Sequence, residues 1–511
     1  MSIVNIIKLS DLIMGLDETL AKRGFLFRSS EIYGGVSGFY DYGHLGTLMK
    51  RKFENLWRYY FLGLGENFYE IETTDIMPEN VFVASGHLEN FVDSLTGCKK
   101  CKSDFRADHL VEDKTGETAE HFDNKQLTEK IKELGITCPN CGGELDEVDF
   151  LNLMFPLKIG SKDKGALRPE TAQGCYVAFK RMFSATREKL PLGLAIIGKA
   201  FRNEISPRQG TFRLREFTQS ELQIFFDSDK INECENFDEV KDYKLRLNFT
   251  GKKDIDEISC GDLLDKLPKM YLYYLAKVQQ FYLDVLCVPS EKFRLKELNE
   301  KEKAFYNKYH FDVEVFSEKF NSFKEMGGVH YRTDHDLSGH EKVSGENLHV
   351  TIEGKKFIPH VLELSFGVDR NVYSLLEISY KDNVLNLDPK VSPFTLGIFP
   401  LVKKDGLGEK GFELYKNLKK DFDCFFDNSG SVGKRYARAD EAGIPYGITL
   451  DYDSMKDETV TIRDRDSTEQ VRVKIEDLAL IIGKLMNEEL KFREIGELVK
   501  TRKKEEGYRT N

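Results

Sequence analysis

No stretch of this 511-residue chain stays apolar for the roughly 20 residues that a membrane span needs. That argues against a membrane-spanning helix. A positive excess is missing too: lysine and arginine total 75 against 86 acidic residues, a net charge of −11. This argues against a general nucleic-acid coat protein, while leaving room for a local basic surface that holds an RNA. Cysteine is sparse, and nine is an odd number for a disulfide framework. Four of the nine form two CxxC pairs, so a reducing cytoplasm is the expected compartment. No small-residue cleavage site follows the first 24 residues, whose second half is acidic. They read as a short amphipathic helix and not as a signal peptide. Internal repeats and low-complexity tracts are also lacking. What is present, 40% hydrophobic and 32% charged residues over this length, describes a soluble globular protein of two to four domains.

The most informative stretch runs from Leu194 to Phe226 and reads as two strands joined by a long loop with turn signals at Pro207 and Gly210. The first strand is expected over 194–205, with Arg202 and Glu204 on one face. In the second, 216–226, alternation puts Phe217, Gln219, Glu221 and Gln223 on one side and Leu222, Ile224 and Phe226 on the other. Arg202, Arg208, Arg213 and Arg215 crowd a short space. Such a group is costly to hold together without an anion, and arginine forks match phosphate oxygens. Residues 357–376, FIPHVLELSFGVDRNVYSLL, read as a strand carrying Glu363 and Ser365, followed by a helix that Gly367 opens and that bears Arg370. A helix start beside an arginine is a good anion neighbourhood, and a carboxylate on an apolar strand needs a partner.

Together, FRNEISPR…RLREF and LELSFGVDR resemble motifs 2 and 3 of the class II aminoacyl-tRNA synthetases, in the wording of the homodimeric glycine–tRNA ligases. RPETAQG at 168–174 and KEMGGVHYRTDHDLSGH at 324–340 fit the same family. A helix over 45–62, with an apolar stripe at Leu48, Phe53, Leu56, Tyr59 and Tyr60, then a strand ending near Pro78, resembles motif 1, which in the family builds the dimer interface. The irregular stretch 22–43 is one that such families use near the substrate entrance.

The resemblance implies an α+β fold: an antiparallel class II sheet flanked by helices, within a catalytic unit over 1–392. Two insertions are expected in it, 95–150 with the CxxC pairs and a charged, helical 227–324 with a helix over 263–286. A C-terminal α/β anticodon-binding unit over 393–511, mainly parallel, is expected to follow, with Lys434, Arg435 and Arg438 forming a basic helix.

The implied activity is attachment of glycine to the 3′ end of its tRNA through an ATP-derived glycyl-adenylate. The implied partners are glycine, the tRNA for glycine and a second copy of the chain. By resemblance, Arg202, Glu204 and Arg370 are catalytic. Arg202, Asn203, Glu204, Phe212, Arg213, Phe217, Glu325, Met326, Gly367 and Arg370 surround ATP, which magnesium accompanies. Arg106, Glu170, Gln219, Glu221, Glu363 and Ser365 bind glycine, with Arg332 nearby. No nucleophilic side chain is required, because this chemistry needs positioning and charge stabilisation. Cys98 and Cys101 (CKKC) with Cys138 and Cys141 (CPNC) read as a structural zinc site or its relic, 36 residues apart and spanning a helical insert. Two reduced thiol pairs without metal are the alternative.

Two departures from the family wording, Thr211 and QSELQIFF, leave the arginine and carboxylate positions untouched. Three rival readings stay open: a ligase of the same subclass for another amino acid, a non-catalytic synthetase-like nucleic-acid-binding paralogue, and a zinc-dependent nucleic-acid module.

Overall fold

The computed structural model describes residues 15–499, apart from 118, 120, 206, 208, 209, 301, 304 and 305. Most of the expected N-terminal amphipathic helix and Arg208 lie outside the described residues. Residues 15–23 are helical and bury Leu16 and Leu20.

The centre is a nine-stranded sheet. Its order is Asp256–Ser259, Lys244–Asn248, Phe293–Glu297, Tyr309–Ser317, Ser322–Thr333, His360–Gly367, Glu216–Phe226, Leu192–Phe201 and Phe68–Glu70. All neighbours are antiparallel except the Leu192–Phe201/Phe68–Glu70 and Lys244–Asn248/Phe293–Glu297 pairs. One face packs on the helix His44–Leu62. That helix buries Leu45, Met49, Phe53, Trp57 and Phe61, an unbroken i, i+4 series, against Leu222, Ile224, Leu362, Leu364 and Phe366. Each such burial contributes about 1.5–3 kcal/mol.

This corrects the expected stripe, which is displaced around the helix. Tyr59 is 88% exposed, and only Phe53 of that set is fully buried. Trp57, not counted in the stripe, is the residue that sets the buried face. The strand expected to end near Pro78 is two short ones, Phe68–Glu70 and Ile76–Pro78, in different sheets.

Residues 227–324 do not form a separate helical appendage. They add strands to the same sheet, and their helix is Lys269–Gln280, starting after Pro268. The charge of this segment conceals its alternation. Leu245, Leu247, Phe293, Leu295, Phe311, Val313 and Val315 are buried while the residues between them carry the charges.

The C-terminal unit is a six-stranded sheet in the order Cys424–Phe426, Leu396–Pro400, Tyr446–Leu450, Thr459–Asp464, Gln470–Lys474 and Glu497–Leu498. Only the first three strands are parallel, so the expected mainly parallel sheet is half antiparallel. The strands Thr459–Asp464 and Gln470–Lys474 are joined by a short turn, which cannot make a parallel crossover. The basic helix is likewise reduced. Arg435 is 2% exposed and donates to the carbonyls of Pro400 and Gly430, and Arg438 donates to Asp427, which leaves Lys434 exposed.

Candidate active site

The strands Ser322–Thr333, His360–Gly367 and Glu216–Phe226 lie side by side, and their register assembles one polar face. Gln219 stands opposite Gly367, Glu221 opposite Ser365, and Gln223 opposite Glu363. On the far side Gly328 faces Ser365 and His330 faces Glu363. Gly327 and Gly328 keep this face open. A Cβ at Gly327 would sit 2.2 Å from the Ser365 carbonyl oxygen, and one at Gly328 would sit 2.2 Å from the His330 ring. The helix Ala172–Ala185 closes one end, burying Cys175, Tyr176 and Phe179 against the sheet.

The cavity over this face has two chemically distinct ends. One is acidic. Arg332, 2% exposed, donates to Asp336 through Nε (2.8 Å) and Nη2 (3.0 Å) and to Glu363 through Nη1 (2.8 Å), and lies 3.8 Å from Glu170. Glu170 accepts from Gln173 at 2.8 Å and faces His87 at 3.6 Å. Glu221 accepts from Thr171 at 2.6 Å and from Ser365 at 3.1 Å. Three buried carboxyl groups, Asp336, Glu363 and Glu170, thus surround one guanidinium, and the buried Glu221 stands beside them. Burial, with the charges of Glu363 and Glu170, pushes the Glu221 carboxyl up to about 8. Burial also raises Glu363, against the pull of Arg332. Burial acts the same way on Glu170, but His87 and Arg332 outweigh it and hold that carboxyl well below the usual range. The surplus of acid is unpaid within the protein, and a small cation such as an ammonium group answers it.

The other end is aromatic and basic. The first motif strand stops at Phe201, so Arg202 and Glu204 stand on irregular backbone beyond it and do not share a strand face. The Arg202 guanidinium donates to the Pro169 carbonyl at 3.0 Å and lies 5.3 Å above the Phe217 ring and 5.4 Å from Phe91. Arg213 donates to Glu204 at 2.6 Å and approaches Asp93 at 3.5 Å. Arg215 brackets the Glu204 carbonyl through Nε and Nη2. Arg370 donates to the Phe212 carbonyl at 3.0 Å and pairs with Glu325 at 3.1 Å. Burial raises the Glu325 carboxyl, but Arg370 and Arg202 draw it down overall. Gly367 precedes the helix Val368–Ser379, whose Asp369 accepts from the Thr218 amide and the Tyr42 hydroxyl, tying motif 2 to motif 3.

Of the residues expected at the site, Glu170, Arg202, Glu204, Phe212, Arg213, Phe217, Gln219, Glu221, Glu325, Glu363, Ser365, Gly367 and Arg370 line this one cavity. Three do not. Arg106 is paired with Asp108 and Asp93, one residue back from the wall. Met326 is buried and offers only its carbonyl, to Asn371. Asn203 donates its amide to the Leu153 carbonyl. Asp336, Gln173, Thr171, His330 and Tyr306 were missed. The pair Arg332/Asp336, four residues apart in RTDHDLSGH, was the signal available for Asp336.

Apart from this cavity, Cys98, Cys101, Cys138 and Cys141 bring their sulfurs within 4.8 Å of one another. The two CxxC turns repeat one geometry. Each opens with an amide donating to a carbonyl five residues on (Cys98 to Ser103, Cys138 to Gly143), and each has a left-handed residue at Lys102 or Gly142. The helix Asn124–Glu133, with a capping box from Asp123 and Gln126, spans the distance between them.

Residues 155–379 match the family "tRNA synthetase class II core domain (G, H, P, S and T)", and residues 395–485 match "Anticodon binding domain". Among solved structures, the fold is similar to prolyl-tRNA synthetase from Cryptosporidium parvum complexed with L-proline and AMP. The TM-score is 0.56 at 14% identity, over 93% of this chain and 75% of that one. Sheet, cavity and C-terminal unit together are those of a class II aminoacyl-tRNA synthetase. The chain is 41% identical to the glycine–tRNA ligase of Pyrococcus furiosus over 91% of its own length and 97% of the relative's. It is 38% identical to that of Methanothermobacter thermautotrophicus over 91% and 97%. It belongs to the glycine–tRNA ligase family.

Proposed function

We propose that the two ends of this cavity divide the work of glycine–tRNA ligation, the acidic end holding glycine and the aromatic, basic end holding ATP as its magnesium complex. The observation that carries this reading is the acidic end itself: three carboxyl groups around Arg332, with Glu221 and Ser365 side by side on the floor. Glycine's ammonium compensates Glu170, Glu221 and Glu363, and exclusion of larger side chains falls to the residues of the floor. Arg106 acts from behind, through Asp93, on the carboxylate side. Rejecting larger amino acids is then steric, and no smaller one competes.

At the other end Phe217 and Arg370 enclose the adenine and Glu204 reads its amino edge. Arg202 stabilises charge building on the α-phosphate as the glycine carboxylate attacks it. Glycyl-adenylate and pyrophosphate result, and a hydroxyl of the tRNA's terminal adenosine takes the glycyl group in the second step. In this structure Arg213 is paired with Glu204, so reaching the triphosphate requires that pair to open. Asn203, Phe212, Gln219, Glu325, Met326 and Gly367 shape the site around these groups.

The four cysteines suit a structural zinc ion. A tetrahedron with Zn–S of about 2.3 Å has edges of about 3.8 Å, and the sulfurs of Cys98/Cys141 and Cys101/Cys138 are 3.5 and 3.6 Å apart. The catalytic unit spans 1–392 and the anticodon-binding unit 393–511. The active form is a homodimer through motif 1, and the compartment is the cytoplasm. Among the described residues no helix is long and apolar enough to cross a membrane.

ATP–pyrophosphate exchange with each amino acid in turn tests the reading. Exchange with glycine alone is expected. Exchange with a different amino acid would mean that Glu170, Glu221 and Glu363 do not select glycine. No exchange, with or without tRNA, would leave a non-catalytic protein.

A further inference from the structure

The roles given above assign no direct donor to the carboxyl group of glycine. Arg332 commits Nε, Nη1 and Nη2 to Asp336 and Glu363, and Arg106 stands behind Asp93. Arg202 is taken up with the α-phosphate. We propose that His330 is the missing donor: its Nε2–H bonds the carbonyl oxygen of the glycyl group, and Asn307 holds the ring in that tautomer. The proposal rests on the glycine–tRNA ligase reading above.

The position follows from strand register. Gly328, Ser365 and Glu221 form one row across the three strands; His330, Glu363 and Gln223 form the next. The His330 ring leans back along its strand. A Cβ on Gly328 would lie 2.2 Å from Nε2, whereas Nδ1 is 3.6 Å from Glu363. Nε2 therefore stands over the Glu221 row, one row short of the Gln219/Gly367 pair where the aromatic, basic end begins. A glycine anchored by its ammonium turns its carboxyl group in this same direction, toward Arg202. No described residue bonds to Nε2.

The chemistry follows from the groups behind the ring. His330 stacks on His310 with centroids 4.1 Å apart, and the Asn307 amide nitrogen reaches Nδ1 of both rings, at 3.4 Å for His310 and 3.5 Å for His330. His310 Nε2 lies 3.1 Å from the Asp312 carboxylate, so its proton sits there and its Nδ1 accepts. Asn307 must then offer its NH2 group to His310, and the same group meets His330. His330 Nδ1 accepts in turn, which leaves its proton on Nε2, facing the cavity. Turning the amide over would set its oxygen against the His310 lone pair. Asn307 is 4% exposed, and the orientation that serves both rings leaves its Oδ1 without a partner among the described residues, a penalty that packing alone does not explain. Burial, with His310 and Arg332 beside it, holds the His330 imidazole well below the usual histidine range, so the donor is neutral.

Such a donor matters most in the second step. The terminal ribose oxygen bonds to the glycyl carbon, and the carbonyl electron pair moves onto its oxygen. The return of that pair breaks the bond to AMP, whose phosphate carries off the hydroxyl proton. The oxygen that is negative midway is the one His330 faces.

The test uses the full chain and two probes: glycyl-sulfamoyl-adenosine, which has the carbonyl, and the aminoethyl ester of AMP, which lacks it. By calorimetry, His330→Ala should bind the first at least about tenfold more weakly and the second within about twofold of the parent. Single-turnover transfer from preformed adenylate to the glycine tRNA should slow about 100-fold, the scale of losing an oxyanion donor. His330→Gln, whose amide nitrogen reaches the place of Nε2, should recover most of both. Asn307→Ala should weaken the carbonyl probe alone. Nitrogen NMR of the parent should show the Nε2–H tautomer in the signal that His330→Ala loses. Equal losses for the two probes, a glutamine variant no better than alanine, or an Nδ1–H tautomer would overturn the proposal. A parent chain that binds neither probe and shows no glycine-dependent exchange would instead overturn the ligase reading.

Discussion

Replacing Glu221 by glutamine is expected to stabilise the free protein and to weaken glycine binding. Glu221 is 2% exposed, and burial with the neighbouring Glu363 and Glu170 raises its carboxyl from 4.5 to about 8. Below pH 4.5 the group is protonated whether the chain is folded or not, and the site costs nothing. Between 4.5 and 8 the unfolded chain ionises while the native state keeps its proton, so stability falls as pH rises. Each pH unit in that window costs about 1.4 kcal/mol, which gives about 3 kcal/mol at pH 7 and about 5 above pH 8. Glutamine escapes this cost. It loses at most about 1 kcal/mol of hydrogen bonding, because the Thr171 and Ser365 hydroxyls can turn to donate to its oxygen or accept from its amide.

Urea unfolding of parent and variant at pH 4.5, 7 and 8.5 should therefore show a difference that grows with pH, near zero or slightly negative at first and about 2 and 4 kcal/mol at the higher values. On the role proposed for Glu221, glycine binding also displaces its proton. The parent's KM for glycine should fall about tenfold per pH unit from pH 6 to nearly 8, while the variant binds at least ~30-fold more weakly, as expected for losing a buried charge pair worth 2 kcal/mol or more. A stability difference independent of pH, or a variant with the parent's glycine KM, would refute this account of the acidic end.

Three further outcomes are expected. Arg202→Ala should lower glycine-dependent exchange at least ~100-fold, the scale of losing a transition-state donor, with an unchanged circular dichroism spectrum; near-normal exchange would remove Arg202 from the α-phosphate. Arg332→Gln leaves Asp336, Glu363 and Glu170 without their counter-charge and should cost about 3–5 kcal/mol in urea unfolding; a loss below 1 kcal/mol would mean that the cluster is already neutralised by protons. Elemental analysis should find one zinc per chain, lost in Cys98→Ser/Cys141→Ser together with several degrees of melting temperature; loss of exchange without any change in melting would contradict a structural role.

Much of the aromatic, basic end was legible because motif 2 and motif 3 are local. Alternation alone orients Phe217, Gln219 and Glu221, and a glycine before a helix places Arg370. The end of the first motif strand at Phe201 was not legible, since LAIIGKAFRNEI has no break in its pattern before Pro207. The charged segment 227–324 misled for a related reason: its strands have one face on the core and one in water, so their composition looks polar although their alternate residues are buried. The motif 1 helix shows the reverse, since its aromatic residues are so frequent that the stripe could be drawn around the wrong side.

Taken alone, the sequence determined the enzyme class and the motif side chains that meet in one cavity, because these depend on short-range spacing along single strands and helix starts. The tertiary structure alone decided how the acidic end is held. Arg332, at the end of its strand, touches Asp336 in the first turn of the helix that follows but reaches Glu363 and Glu170 on other elements, and only the pairing of three strands with the helix after RPET brings those carboxyl groups around it. A carboxylate's partner is chosen by distance in space and by the dielectric around it, and neither is written in the spacing of residues along a chain.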